Sequence, residues 1–326
     1  MTKRPSHHTA TGFRNPPGAP HQTRSLKEFG PFFWRRLRES KKAVDVPEGH
    51  VLPVKDALEA LHAAGRHDSL TWLGHASFLV RLSGMTLLTD PYLTDYASPV
   101  KGTGPKRYVP PGIPIAKLPK LDAILLSHNH YDHLDARAMR QIPDREDLLT
   151  IVPLKLGKAL RRLGFHNVIE LDWWDEAPAP GDLVVTGLPA IHFSARTLFD
   201  RDRTLWCGFG VRSKKHNLYF SGDTGYFEPT FQEIGRRTGP YDTAIVPIGA
   251  YDPRPIMRSV HASPEEGVQI GTDLSAKRLV GMHWGTVVLT DEPPFEPPQR
   301  FREAAKDSGY ASRDTWVMKI GETRTL

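Results

Sequence analysis

An α/β fold, with sheets covered by helices, is predicted from three features of the 326-residue chain. Short apolar runs of strand length recur from Leu70 onward, segments with helical apolar spacing fall between them, and many of the runs end in polar turns. The most informative turn is Ser127-His128-Asn129-His130-Tyr131-Asp132-His133-Leu134-Asp135, delivered by the run Ala123-Ile124-Leu125-Leu126. Side chains alternate in extended backbone, so His128, His130 and Asp132 can point to one side, and His133 follows as the chain turns. Three imidazoles and a carboxylate within six residues are costly to bury without a cation, so the cluster is read as a set of metal ligands.

In chain order, residues 1–66 form a basic arm, partly disordered with short helices, and residues 67–326 form the body. The proline-rich stretch 1–23 is either disordered or extended over the body. Over 26–42, Pro31 suits the first turn of a helix and Phe33 with Leu37 makes an apolar pair, while Arg35, Arg36, Arg38, Lys41 and Lys42 supply cations. Such a helix is either an interfacial anchor or an arm packed on the body by its aromatic residues. Residues 54–64 read as an amphipathic helix ending at Gly65.

The runs Leu70–Val80 and Met85–Thr89 read as two strands joined by the Ser83-Gly84 turn, with Asp90-Pro91 ending the second. His75 and Asp90 are either groups that orient metal ligands or a packed histidine and a turn aspartate. A Pro/Gly-rich loop over 97–114 precedes the Leu121–Leu126 strand. Further strands are expected at Thr150–Val152, Asn167–Leu171, Asp182–Thr186, Asn217–Phe220 and Thr243–Pro247. Helices are expected at Leu154–Leu163, Phe227–Arg237, Pro264–Thr272 and Pro298–Ser308. The order admits two similar halves, although no sequence repeat is visible.

Composition narrows the chemistry. Cys207 is the single cysteine, so an intramolecular disulfide and a thiolate cluster are both excluded, and the site must be built from histidine and carboxylate. The net charge of +6 lies wholly in residues 1–66, which hold 12 Lys+Arg against 6 Asp+Glu; the body balances at 31 against 31. A body without excess cations argues against nucleic acid as a partner. With no apolar stretch of about 18 residues and no apolar core in Met1–Pro20, a cytoplasmic protein is expected, either soluble or peripheral at the inner face of the membrane.

Other strand-like runs end in ligand-type residues. Leu188-Pro189-Ala190-Ile191 leads to His192, Tyr219-Phe220-Ser221-Gly222 to Asp223 in a glycine turn, and Leu279-Val280-Gly281-Met282 to His283. Each is weak alone, but the cluster at 128–133 demands partners of this kind.

The pattern His-x-His-x-Asp-His, then a strand-end His, a Gly-Asp-Thr-Gly aspartate and a last His, resembles the metallo-β-lactamase fold superfamily. More narrowly, the strings Ser127–Asp135, Glu170-Leu171-Asp172-Trp173-Trp174, Gly222-Asp223-Thr224-Gly225-Tyr226, Pro247-Ile248-Gly249-Ala250-Tyr251 and His283-Trp284-Gly285-Thr286 look like the N-acylphosphatidylethanolamine-hydrolysing phospholipase D family, from about Leu70 to the C-terminus.

The resemblance implies a four-layer αββα sandwich in which 67–326 is the catalytic domain, with two Zn2+ ions per chain. His128, His130 and His192 would hold one ion and Asp132, His133 and His283 the other, with Asp223 bridging. His261 matches a histidine that contacts substrate; its bland reading is a polar residue at the start of the helix near Pro264. Asp132, Asp223 and His261 are the expected catalytic residues. The implied activity is hydrolysis of N-acylphosphatidylethanolamine-like lipids to N-acylethanolamine and phosphatidic acid by a hydroxide held between the metals. The site's charge of about +1 suits a phosphodiester anion. Expected lining segments for an apolar groove are Phe193–Phe199, Tyr251–Met257 and Val287–Leu289, with Arg196 and Arg254 either pairing the phosphate or facing solvent. A peripheral membrane contact through the arm and a homodimer are further expectations, with no nucleic acid. Competing readings are a lactonase or nuclease on the same metals, or a membrane-associated binding protein with a structural metal site. The last fits poorly, because seven ligands shared by two metals leave open positions that a structural site would close.

Overall fold

The computed structural model describes residues 5–21, 30–32, 34–35 and 43–326. One sheet is built from β1 (Ser69–Gly74), β2 (Ser77–Leu82), β3 (Met85–Thr89), β4 (Ala123–Leu125), β5 (Leu149–Pro153) and β6 (Val168–Leu171). The other holds β7 (Glu176–Ala179), β8 (Leu183–Leu188), β9 (Gly208–Arg212), β10 (Asn217–Phe220), β11 (Thr243–Pro247), β12 (Arg278–Met282) and β13 (Thr315–Trp316). The last strand, β14 (Thr323–Thr325), returns to pair with β1, giving the orders β14-β1-β2-β3-β4-β5-β6 and β13-β12-β11-β10-β9-β8-β7. Each sheet runs through three antiparallel pairings and then three parallel ones. The two similar halves therefore exist as a pairing pattern without a sequence repeat.

Alternation along the strands separates the layers. In the first sheet Trp72, Val80, Leu87 and Leu125 enter the large core shared with the second sheet. Their neighbours Leu73, Leu79, Leu88 and Ile124 face an outer core with Leu61, Met139 and Leu160, from the helices Val54–Ala63, Ala136–Gln141 and Gly157–Arg162. Both faces are buried, which explains why these strands read as continuous apolar runs. Removing one such side chain, Leu125 for example, would cost about 2–5 kcal/mol. On the second sheet the helix Pro264–Asp273 packs against β11, β12 and the helix Pro297–Asp307. It begins in a capping box between Ser263 and Glu266.

Several expectations are corrected in detail. The run Leu70–Val80 is two strands, because Gly74 (φ 103°) and His75 (φ 55°) reverse the chain. A Cβ on Gly74 would meet Arg107 Nη2 at 2.6 Å, so glycine is required there by space as well as by backbone angle. The helix expected from Leu154 starts at Gly157, after Lys155 turns at φ 66°. β7 carries Pro178 and went unread because proline weakens a strand pattern; as the edge strand of its sheet it tolerates one.

Residues 5–21 lie over the body rather than away from it. Phe13 joins the shared core, and its amide donates to the Asp202 carbonyl at 2.8 Å. Residues 30–32 and 34–35 are helical. The Phe33–Leu37 pair and Arg36, Arg38, Lys41 and Lys42 lie outside the described residues. Among the described residues no helix is long and apolar enough to cross a membrane.

Candidate metal centre

Every ligand-type residue read from the sequence sits just beyond the C-terminal end of a strand. β4 delivers His128 to His133, β8 His192, β10 Asp223 and β12 His283, while β1 and β3 deliver His75 and Asp90. His261 stands between the helices Arg254–Met257 and Pro264–Asp273. The Asp223 turn is set by Gly222 (φ 57°), where an added Cβ would strike Ser127 Cβ at 2.5 Å, so the turn lies directly on the histidine segment.

The residues converge as two groups sharing one carboxylate. In the first, His128 Nε2 and His192 Nε2 lie 2.9 and 3.2 Å from His130 Nδ1, and 3.8 and 3.7 Å from Asp223 Oδ2. In the second, His133 Nε2 and His283 Nε2 each lie 3.7 Å from Asp132 Oδ2. Asp223 reaches this group too, 3.1 Å from His133 Nε2 through Oδ2 and 3.1 Å from His283 Nε2 through Oδ1. In both groups, counting His75 with the second, the ligand-type atoms all lie within 4.8 Å of one another.

Several of the residues are held from behind. Ser127 Oγ meets His128 Nδ1 at 2.8 Å, His133 Nδ1 donates to Asp90 Oδ2 at 2.7 Å, and His192 Nδ1 donates to the Val260 carbonyl at 2.8 Å. Asp90 also accepts from the amide and hydroxyl of Ser127, at 2.7 and 2.6 Å, so one buried carboxylate fixes two parts of the ligand segment. His75 Nε2 sits 3.0 Å from Asp132 Oδ2, as a group orienting a ligand would.

Several of the inward atoms are left over. His133 Nε2, His283 Nε2, Asp223 Oδ1 and His261 Nδ1 are buried and have no hydrogen-bond partner among the described residues. Orphaned buried polar atoms are expensive, and here they face one another in a set of imidazole and carboxylate donors. The donor set fits two divalent cations.

Charge gives the same answer. Burial lowers the imidazoles of His130 and His261 to about 4, and those of His128 and His192 well below the ordinary value. Burial acts on His283 and His133 as well, but the carboxylates of Asp223 and Asp132 outweigh it, raising His283 to about 9 and His133 well above the usual range. Desolvation opposes ionisation of Asp223 and Asp132, yet the neighbouring imidazoles, His133 foremost, hold both well below the carboxylate range. The carboxylates of Asp223 and Asp132 thus draw positive charge into the site: without a cation His133 and His283 hold protons, and a bound cation would displace those protons and supply the positive charge in their place.

Other candidates fall outside this arrangement. Arg196 donates to the carbonyls of Asn129 and Leu134 at 2.7 and 2.9 Å and stacks on Tyr131, so it braces the loop rather than awaiting a phosphate. Arg254 is paired with Glu266 at 2.7 Å and donates to the His261 carbonyl at 3.0 Å. Tyr251 is buried with its hydroxyl on Glu296 at 2.6 Å. Of the expected groove segments, Val287–Leu289 does line a cleft beside His283, with Tyr108 and Trp284.

Sequence reading missed the role of Asn15. Its Oδ1 accepts from the His192 amide at 3.0 Å and from Trp206 Nε1 at 3.1 Å, tying residues 5–21 to the metal-bearing turn. The signal was slight: a polar residue before the Pro16-Pro17 pair in a stretch otherwise read as a tail.

Comparison with known proteins agrees with this geometry. Residues 85–284 match the model of the beta-lactamase superfamily domain. The chain is 38% identical over 260 residues to N-acyl-phosphatidylethanolamine-hydrolyzing phospholipase D 1 of Caenorhabditis elegans, covering 75% of this chain and 73% of that one. It is 31% identical over 325 residues to the mitochondrial N-acyl-phosphatidylethanolamine-hydrolyzing phospholipase D of Saccharomyces cerevisiae, covering 95% and 69%. Igni18, a metallo hydrolase from Ignicoccus hospitalis, shares the fold with a TM-score of 0.59 at 24% identity, over 79% of this chain and 97% of that one. Fold and matches together define a metal-dependent hydrolase of the metallo-β-lactamase superfamily. Within that superfamily, the chain belongs to the family of the N-acylphosphatidylethanolamine-hydrolysing phospholipases D.

Proposed function

We propose that this protein is a dinuclear zinc phosphodiesterase of phospholipase D type that hydrolyses N-acylphosphatidylethanolamine-like lipids to N-acylethanolamine and phosphatidic acid. The observation that carries the reading is the inward, unpartnered set of His133 Nε2, His283 Nε2 and Asp223 Oδ1. His128, His130 and His192 would hold one cation, and Asp132, His133 and His283 the other, with Asp223 reaching both. Such a pair supplies Lewis acidity toward a phosphoryl oxygen and brings the pKa of bound water to about 7.

The chain's own residues do the rest. Asp90, Ser127, His75 and the Val260 carbonyl fix ring and carboxylate orientation, so little reorganisation is needed when charge develops on the phosphate. His261 would contact the phosphate or the leaving oxygen, a role supported by its Nδ1 lying 4.0 Å from Asp223 Oδ2. Tyr108, Trp284, Val287, Val288 and Leu289 line a small cleft beside His283, next to where the phosphate would bind. Water adds to phosphorus, the bond to the ethanolamine oxygen breaks, and the departing alkoxide takes up a proton.

The test is incubation of the zinc-loaded protein with N-acylphosphatidylethanolamine micelles, beside His130→Ala, with products separated by mass. The reading predicts N-acylethanolamine and phosphatidic acid from the wild type only. Intact lipid together with cleavage of bis-p-nitrophenyl phosphate would keep the metal chemistry and remove the lipid assignment.

A further inference from the structure

The N-terminal segment 5–21 meets the metal centre at His192. That residue lies past the end of β8 and after Pro189, so no strand pairing holds its backbone. The Asp223 turn fixes its neighbour: the Ile191 amide donates to Thr224 Oγ1 at 2.9 Å, and the Ile191 carbonyl accepts from the Gly225 amide at 2.8 Å. The ring is tied by Nδ1 to the Val260 carbonyl. What remains is the His192 amide, which is buried, and Asn15 Oδ1 is the acceptor it has among the described residues.

Two N–H donors, the His192 amide and Trp206 Nε1, meet at this one atom, so it is the side-chain oxygen. Trp206 has a second acceptor in the Ala190 carbonyl at 2.9 Å. An apolar side chain at position 15 would therefore leave Trp206 bonded and orphan the amide of the ligand.

The segment holds Asn15 in place by contacts that do not involve its side chain. The Thr9 amide donates to the Gly12 carbonyl and the Arg14 amide to the His7 carbonyl, both at 2.9 Å, which folds 7–14 back on itself. Phe13 is buried in the shared core. Gly12 packs so closely on the Asp202 backbone that a Cβ there would run into the Asp202 carbonyl oxygen. On the far side Trp206 is braced in turn, its carbonyl accepting from Trp173 Nε1 at 2.7 Å. Asn15 is thus delivered to His192 from a docked, preorganised support.

We propose that Asn15 is a positioning residue for the first cation. It sets the His192 backbone and, through it, the aim of His192 Nε2 toward His130 and Asp223, so residues 5–21 complete the metal centre. The proposal rests on the two-metal reading of the site and on nothing about the substrate.

The test is competition for zinc with a chelator, on lipid-free full-length protein, comparing wild type, Asn15→Leu and Asn15→Asp. The same comparison is made in His130→Ala, where only the ion of Asp132, His133 and His283 is left to read. Circular dichroism checks that each protein is folded. In Asn15→Leu one of the two ions should bind about tenfold more weakly. Asn15→Asp keeps an oxygen acceptor and should restore the affinity. In the His130→Ala background Asn15→Leu should leave the remaining ion bound as before. Wild-type affinity for both ions in Asn15→Leu would overturn the proposal, as would equal weakening of both, which is the mark of a general structural role. An Asn15→Asp protein as weak as Asn15→Leu would also overturn it, because the acceptor would be present without effect. A wild type that binds fewer than two zinc ions would overturn it together with the two-metal reading, and the other outcomes leave that reading standing.

Discussion

Among the described residues two clusters of histidine and aspartate look alike in composition and differ in how their polar atoms are satisfied. At the metal centre, His133 Nε2 and His283 Nε2 approach Asp223 at 3.1 Å without hydrogen-bond alignment, while the far sides of His128, His133 and His192 are held by other groups. At the other cluster, His7 Nε2 and His8 Nε2 meet the two oxygens of Asp172 at 2.6 and 2.7 Å in well-formed hydrogen bonds. His7 also stacks on Trp173 with ring centroids 4.1 Å apart, and the Trp173 amide donates to Asp172 Oδ1 at 2.8 Å. One cluster leaves inward atoms of His133, His283 and Asp223 without a hydrogen bond; the other spends its capacity on itself. The first suits a cation, and the second is a latch for the residue 5–21 segment.

This contrast breaks most readily at the bridging carboxylate. Asp223→Asn should lower phosphodiester hydrolysis by about 10³-fold, because it removes charge from both halves of the site, and a steady-state assay with saturating zinc reads the loss. Next in size is Asp90→Asn, which leaves every inward atom in place but weakens the hold on His133 and Ser127. Metal affinity should fall about 10–100-fold in competition with a chelator, with the fold intact by circular dichroism.

The latch should answer in stability rather than chemistry. His7→Ala/His8→Ala removes two hydrogen bonds to a carboxylate and should cost about 1.5–3 kcal/mol in denaturant unfolding. Metal content should stay as in the wild type. A smaller effect lies in pH. Burial alone would raise Asp172, but the His7 hydrogen bond and the Trp173 amide hold it below the ordinary carboxylate value. A carboxylate lowered on folding adds stability above its unfolded value, near 3.9, and that stability is lost as pH falls through the lower folded value. The stability gap between wild type and Asp172→Asn should therefore shrink as pH falls below 4, measured on metal-free protein.

The sequence revealed the metal centre far better than the latch, for a physical reason. Four of the centre's residues fall within 128–133, and the others each end a strand-like run, so local pattern and chain order both pointed to them. His75 and Asp90 were legible as candidates for orienting roles, because each closes a strand next to the cluster. Nothing local connects His7 and His8 to Asp172, which are 165 and 164 residues apart in the chain. The same holds for Asn15 and His192. Most strands and the long helices were legible from apolar spacing, whereas β7 and β9, with proline and glycine in place of an apolar run, needed their partners to exist. Leu198 and Phe199 were misread as groove residues because an apolar side chain after a ligand suggests a pocket; they are exposed, in a loop closed by hydrogen bonds from the Arg196 and Thr197 amides to Asp200.

Zinc bound per chain, by elemental analysis after dialysis, tests the distinction most directly in three proteins: wild type, His7→Ala/His8→Ala and Asp223→Asn. The account predicts two zinc ions in the wild type, two in the latch variant, and fewer than two in Asp223→Asn. A third ion in the wild type that disappears with the two histidines, or two ions retained in Asp223→Asn, would contradict it.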